Sequence, residues 1–267
     1  MTTIPLATQE SLQAFLSKAT ISQDVFKLRS DYRALLIAVS NLSSSSTGPS
    51  DAFSENLLQE AETSVRSHLS TGKSVNDIPH VAAWREAYKS FGAKPNRHRN
   101  SLEALTRRIT LATEGKPAAG LPRINKLTDI YNAICVKYQI PLGGEDLEKY
   151  SGSPQLKVSE GTEPFHVTEK GEAKIEFPEK GEVVWCDDEG VTCRRWNWRQ
   201  GPRTALDEKT EKVLFICDAL DAMSDVELEK VGDELVKALK EGSPDLVVAT
   251  RLIEINEGGP GLRPRRL

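Results

Sequence analysis

The sequence predicts an α+β fold, and three observations carry that expectation. Up to about residue 138, most segments repeat apolar residues at helical spacing. From residue 142 onward, short β-like runs alternate with Gly and Pro. No internal repeat is visible along the chain.

In order, residues 8–19 read as a first helix, with Leu12, Phe15 and Leu16 on one face. The run YRALLIAVSNL, 32–42, is apolar and partly β-branched and reads as a buried strand. SSSSTGPS, 43–50, reads as a turn-rich break. Residues 51–70 place Phe53, Leu57, Ala61 and Val65 at helical spacing, and 71–77 read as a loop. Val81, Trp84, Tyr88 and Phe91 form the buried stripe of a helix over 79–91, which Gly92 ends. Asn100 is placed to cap the next helix, with Glu103 at its third position as in a capping box. GKPAAGLP, 115–122, breaks the chain before a helix over 124–138. LKVSE, PFHVTE, AKIEFP and GEVVWCDDEGVTCRRWNW then read as antiparallel strands and hairpins. VLFIC at 213–217 is a strand, 224–241 an amphipathic helix and DLVVATRLIEI a last strand. Residues 1–255 read as one domain, and the Gly-, Pro- and Arg-rich 256–267 as a flexible tail.

The 35 basic and 39 acidic residues give a net charge of −4, so no whole-chain basic signal points to nucleic acid. Any such signal is local. No run of about 18 apolar residues occurs, so no membrane partner is expected. The N-terminus lacks a basic region followed by an apolar core, so a cytoplasmic location is expected. Cys135, Cys186, Cys193 and Cys217 read as reduced thiols, although a hairpin would set Cys186 and Cys193 opposite each other. Neither cysteines nor histidines show ligand spacing, so no metal and no cofactor is expected. The phosphate-binding glycine motifs and the nucleophile elbow are absent.

Three constellations remain. On the helix 124–138, Asn125, Asp129 and Asn132 fall in one stripe opposite Leu127, Ile130, Tyr131, Ile134 and Tyr138. The stripe is either a solvated face or a hydrogen-bonding row suited to an ammonium and a hydroxyl. Residues 84–108 are locally basic, with Arg97, Arg99 and Arg107 among seven Lys or Arg against two Glu. That is either solubilising charge or a phosphate-backbone contact. In CRRWNWRQG, strand alternation would set Cys193, Arg195, Asn197 and Arg199 on one face and Arg194, Trp196 and Trp198 on the other. The first face offers guanidinium forks for a carboxylate or phosphate. The alternative is an ion-pair row with Asp187, Asp188 and Glu189 across the hairpin.

Three strings together resemble one family: WREAYKSFGAKPNRHRNSLEALTRRI, LPRINKLTDIYNAICVKYQIPLGGEDL and GEVVWCDDEGVTCRRWNWRQG. They are similar to free-standing proteins related to the B3/B4 domain, the editing domain of the phenylalanyl-tRNA synthetase beta subunit. The likeness spans roughly residues 25–220. It implies a central antiparallel sheet flanked by helices, and a pocket for the aminoacylated 3′ end of a tRNA. In the synthetase that pocket removes tyrosine wrongly attached to the tRNA. Some fungal relatives resemble arginine-containing cyclodipeptide synthases, whose DDxxE signature here reads Asp187-Asp188-Glu189-Gly190-Val191, without the last acid.

Aminoacyl-tRNA and an amino acid are thus the implied partners, and three readings follow. As a deacylase, the protein would use Asp129 for the substrate ammonium and Asn125 and Asn132 to orient water or carbonyl. Arg195 and Arg199 would hold the terminal phosphate, with Arg194 and Asn197 on the same stretch. As a cyclodipeptide synthase, it would use Asp187, Asp188 or Glu189 to bind a guanidinium or to act as general base. The third reading is a non-catalytic tRNA-binding module.

Overall fold

A computed structural model describes residues 8–70, 72–111, 118–169 and 171–255. The tail expected at 256–267 lies outside them. The elements in chain order are α1 (Gln9–Ser17), β1 (Thr20–Ile21), α2 (Gln23–Leu28), β2 (Arg33–Ser40), α3 (Ser44–Thr47), α4 (Ala52–Leu69), α5 (Pro79–Ser90), α6 (Ser101–Thr110) and α7 (Lys126–Lys137). They continue as β3 (Leu142–Asp146), β4 (Gln155–Val158), β5 (Phe165–Glu169), β6 (Glu172–Glu176), β7 (Val183–Cys186), β8 (Val191–Arg194), β9 (Arg199–Gln200), β10 (Val213–Ala219), α8 (Asp225–Lys240) and β11 (Val247–Ile253). The fold is α+β.

Two sheets organise it. An antiparallel four-stranded sheet runs β11-β2-β10-β3, and a five-stranded sheet runs β1-β4-β7-β8-β9, with β1 parallel to β4. β5 and β6 form a separate hairpin. Helices concentrate before residue 138 and strands after it, as expected, and the strand read at 32–42 is present as β2, which lies centrally between β11 and β10. Its run RALLIAVS is apolar on both faces because both faces are covered.

Alternation along the strands builds two cores. Leu35, Ile37, Val39, Val213, Phe215 and Cys217 face one way and pack with Leu127, Ile130 and Ile134 of α7 and Leu228, Val231 and Leu235 of α8. Ala34, Leu36, Ala38, Leu214 and Ile216 face the other way, toward Leu156, Val183 and Trp185 of the five-stranded sheet. Leu12 and Leu16 of α1, and Trp84 and Tyr88 of α5, close that second core. The stripe read on α5 is therefore real: Val81, Trp84 and Tyr88 are buried, and Gly92 takes the left-handed φ of 81° that stops the helix. The expected break at 43–50 instead contains the short helix α3, which Ser43 caps through the Ser45 amide. No helix among the described residues is long and apolar enough to cross a membrane.

Candidate functional site

The second core contains two acids. On β3, Gly143 and Glu145 point to the same face; on β10, so do Leu214, Ile216 and Asp218. Register pairs Gly143 with Ile216 and Glu145 with Leu214, so both carboxyls face the five-stranded sheet. A side chain added at Gly143 would meet nothing within 4 Å, so a gap lies beside these acids. In the five-stranded sheet, Cys193 of β8 and Gln200 of β9 are register partners. The Gln200 amide donates to the Gly144 carbonyl at 2.9 Å and ties the two sheets together.

Both acids are buried, with relative exposures of 3 % each, and neither forms an ion pair among the described residues. Tyr150 donates its hydroxyl to Glu145 Oε2. Burial, with the Asp187 charge adding, raises the Glu145 carboxyl to about 7. Tyr32 donates to Asp218 Oδ1 at 2.5 Å, and Asn197 Nδ2 donates to Oδ2 at 3.2 Å. Burial raises Asp218 to about 7 despite these donors. The Trp185 indole N–H also faces Asp218, short of hydrogen-bond geometry. Burial, with the fields of both carboxylates adding, pushes the Cys193 thiol up. Between β7 and β8 the register steps from Trp185–Cys193 to Cys186–Val191, leaving Thr192 unopposed. This bulge turns the Thr192 hydroxyl toward Glu145. It also sends Cys186 and Cys193 to different cores, and all four cysteines are free thiols.

The stretch 193–200 is not the continuous strand that alternation suggested. β8 ends at Arg194 and β9 begins at Arg199. Between them Arg195 and Trp196 adopt left-handed φ of 47° and 68°. Packing explains the turn: Trp196 is buried against Tyr32 and Trp84, with ring centroids at 4.9 and 5.2 Å. The expected faces are consequently regrouped. Arg194 and Arg199 are register partners and flank the Phe165 ring at 5.6 and 5.8 Å. Arg194 is locked to buried Glu182 by two bonds of 2.6 and 2.8 Å. The Arg195 guanidinium lies 4.4 Å from the Trp198 ring centroid, and the His98 ring meets that indole edge-on at 4.8 Å. Asn197 turns inward to Asp218. The ion pairs expected with 187–189 do not form with these arginines; Arg203 takes that place.

The other expected residues lie elsewhere. Asn125 is the N-cap of α7, accepting the Thr128 amide at 2.8 Å. Asp129 is fully buried; Oδ1 accepts the Ile124 amide at 2.9 Å and Oδ2 accepts the Ser50 hydroxyl. Asn132 is buried one turn on. The stripe is therefore not a solvated face, and its helix covers the opposite face of the four-stranded sheet from Glu145 and Asp218. Asp187 accepts the Ser151, Glu189 and Gly190 amides and both Arg203 nitrogens, so its lone pairs are occupied. Asp188 and Glu189 are exposed at the hairpin tip, and Asp188 Oδ1 accepts the Gln155 amide. In the basic segment, Glu103 does not complete the capping box. Fully buried, it pairs with Arg85 at 2.7 Å, Arg107 at 2.8 Å and Arg99 at 3.7 Å. Arg97 and Arg99 remain exposed beside His98.

Sequence reasoning missed Glu145 and Asp218. Two signals were available: Asp218 closes the apolar run VLFIC on the same alternation as Leu214 and Ile216, and Glu145 follows two glycines that leave room. No group of three or more His, Cys, Asp or Glu among the described residues is arranged to hold a metal ion.

The B3/4 domain family matches residues 83–229. Among solved structures, the chain is similar to an N-terminal fragment of the phenylalanyl-tRNA synthetase beta-subunit from Pyrococcus horikoshii. Identity is 11 % and the TM-score is 0.40, over 86 % of this chain and 50 % of that one. The chain thus spans half the length of that fragment. No curated protein matches it.

Proposed function

The chain belongs to the B3/4 domain family, and from that premise we propose that it acts on aminoacyl-tRNA, hydrolysing the ester that joins an amino acid to the 3′ end. One observation carries the reading: open space at Gly143, on the sheet face that bears two buried acids, neither of them in an ion pair among the described residues. A buried carboxylate without a cation is costly unless an occupant supplies positive charge or a proton. The aminoacyl group brings an α-ammonium, and its tRNA brings phosphates. Arg97 and Arg99, exposed on either side of His98, suit those phosphates, whereas Arg195 is buried and paired with Glu182 at 3.5 Å.

In this mechanism Asp218 takes a proton from water as its oxygen attacks the ester carbonyl. The ester bond breaks, and the ribose oxygen leaves with that proton. The products are a free amino acid and uncharged tRNA. A carboxyl poised near 7 suits a base that must accept and return a proton at neutral pH. Glu145, farther along the same face, lies beyond the ammonium of that ester and faces the amino acid's side chain.

One observation favours a second reading, condensation of two aminoacyl groups into a cyclic dipeptide. There are two uncompensated acids rather than one, roughly 13 Å apart along the strands. That span suits an α-ammonium at one acid and a basic side chain, such as arginine, at the other. The acids at 187–189 are a less suitable base, because Asp187 is fully engaged and its two neighbours sit at an exposed tip.

Incubation with a pool of charged tRNAs separates the readings. Free amino acids are expected under the first and cyclic dipeptides under the second. Asp218→Asn is expected to lower turnover by at least about a hundredfold, the usual scale for a lost general base. Unchanged turnover in that variant removes Asp218 from the mechanism. Retained tRNA binding without any product from the parent makes the protein a binding module.

A further inference from the structure

Asn197 has both ends of its amide engaged. Oδ1 accepts the Tyr88 hydroxyl at 2.9 Å, and Nδ2 donates to Asp218 at 3.2 Å. Its backbone carbonyl accepts the Ser101 amide at 3.0 Å, which fixes the residue against the start of α6. Tyr32, Tyr88, Asn197 and Asp218 are all buried, so water does not substitute for any of these bonds.

An amide is polar in one direction. Reversed, Asn197 would set its carbonyl oxygen against an Asp218 oxygen, and two acceptors meet favourably only when Asp218 carries a proton. The Tyr88 hydroxyl would then accept from Nδ2. The chain of bonds therefore has two self-consistent arrangements. With Tyr88 donating, Asn197 donates and Asp218 is free to ionise. With Tyr88 accepting, Asn197 accepts and Asp218 stays protonated.

We propose that Tyr88 is a positioning residue: by donating to Asn197 it holds the amide facing Asp218 and keeps that carboxylate ready to take a proton. This rests on Asp218 serving as the base. The other titratable groups around Asp218 are Tyr32, just before β2, Cys217 of β10 and Cys193 of β8, with Arg195 and Glu182 near the turn. Tyr88, from α5, reaches Asp218 through the amide, and its helix also leads into the loop that carries Arg97, His98 and Arg99.

Tyr88→Phe keeps the ring and removes the donor. A lost hydrogen bond to a charged group is worth about one pH unit. The acid limb of kcat against pH is expected to move up by about that much, a roughly tenfold loss at pH 6, with KM for charged tRNA within about twofold. The Asp218 midpoint, followed by carbon-13 titration and identified by its loss in Asp218→Asn, is expected to move equally. If the parent hydrolyses no charged tRNA yet this midpoint moves, the positioning role stands and the hydrolytic reading falls. If Tyr88→Phe lowers the melting temperature but leaves both midpoints in place, Tyr88 is packing alone and the proposal is overturned. Asn197→Ala removes the amide and leaves the α5 ring; it is expected to give the same displacement, and an unmoved midpoint there overturns the proposal equally.

Discussion

Asp218 is held by donors alone: one phenol and one amide, with no cation in contact. Burial outweighs these donors and favours the protonated acid, so the folded protein gives up stability whenever the group ionises. Asp218→Asn should therefore cost turnover and add stability, with a benefit that grows as pH rises from about 4 to 7. The gain is expected to reach a few kcal/mol at pH 8. Urea unfolding at pH 5 and pH 8 tests this; equal shifts at both would show that the acid is not raised. Glu103 presents the opposite case, a fully buried carboxylate facing three arginines. Glu103→Ala strands those cations and is expected to cost about 3–5 kcal/mol, read by the same unfolding curves.

Among the elements, α5 and the start of α6 were legible because their signals are local. Apolar spacing buried Val81, Trp84 and Tyr88, and Asn100 caps α6 through the Glu103 amide at 2.8 Å. The β8–β9 turn was illegible because left-handed residues are usually Gly or Asn, and here they are Arg195 and Trp196. The aromatic nest around Trp196, made by Tyr32 just before β2 and Trp84 of α5, makes that backbone worth adopting. The acids were hidden for a related reason: an Asp at the end of a strand looks solvated until a second sheet covers it. The α+β class and the tRNA-related resemblance needed neither feature. Two substitutions probe the elements. Trp196→Ala is expected to cost about 3–5 kcal/mol in thermal or urea unfolding, as for other fully buried tryptophans. Gly143→Leu projects a side chain into the open gap. It should leave unfolding within about 1 kcal/mol of the parent, the usual range for tolerated changes, and abolish turnover. Full activity in that variant would place the substrate elsewhere.

Across the whole molecule, buried titratable groups oppose one another. His80 donates from Nδ1 to the Gln139 carbonyl at 2.7 Å and accepts the Leu220 amide on Nε2 at 3.0 Å, so it is neutral. Burial lowers it to about 4 from an ordinary 6.5. As pH falls through that window the unfolded chain takes the proton first, and the stability His80 contributes above 6.5 is lost by 4. Glu145 and Asp218 act in the other direction. The folded protein keeps protons that the unfolded chain releases, so stability is lost as pH rises from about 4 to 7. Two groups against one should leave the parent flat or weaker toward neutrality over this range. In the double variant Glu145→Gln, Asp218→Asn, His80 acts alone, and stability should fall as pH drops from 6.5 to 4.5. A curve unchanged from the parent would contradict this account.

The placement of β2 also sets the order of assembly. Residues 33–40 pair with 213–219 on one side and 247–253 on the other, and α1 is anchored to the last strand by Arg251, which donates to the Leu16 and Ala19 carbonyls. Closing such distant pairings is slow, because loop entropy is lost before any contact forms. Neither acid is enclosed, and neither loses its ordinary acidity, until β10 has docked on β2 and the five-stranded sheet has covered both. The chemistry is thus a late product of folding, and a refolding chain should regain turnover only in its slowest phase.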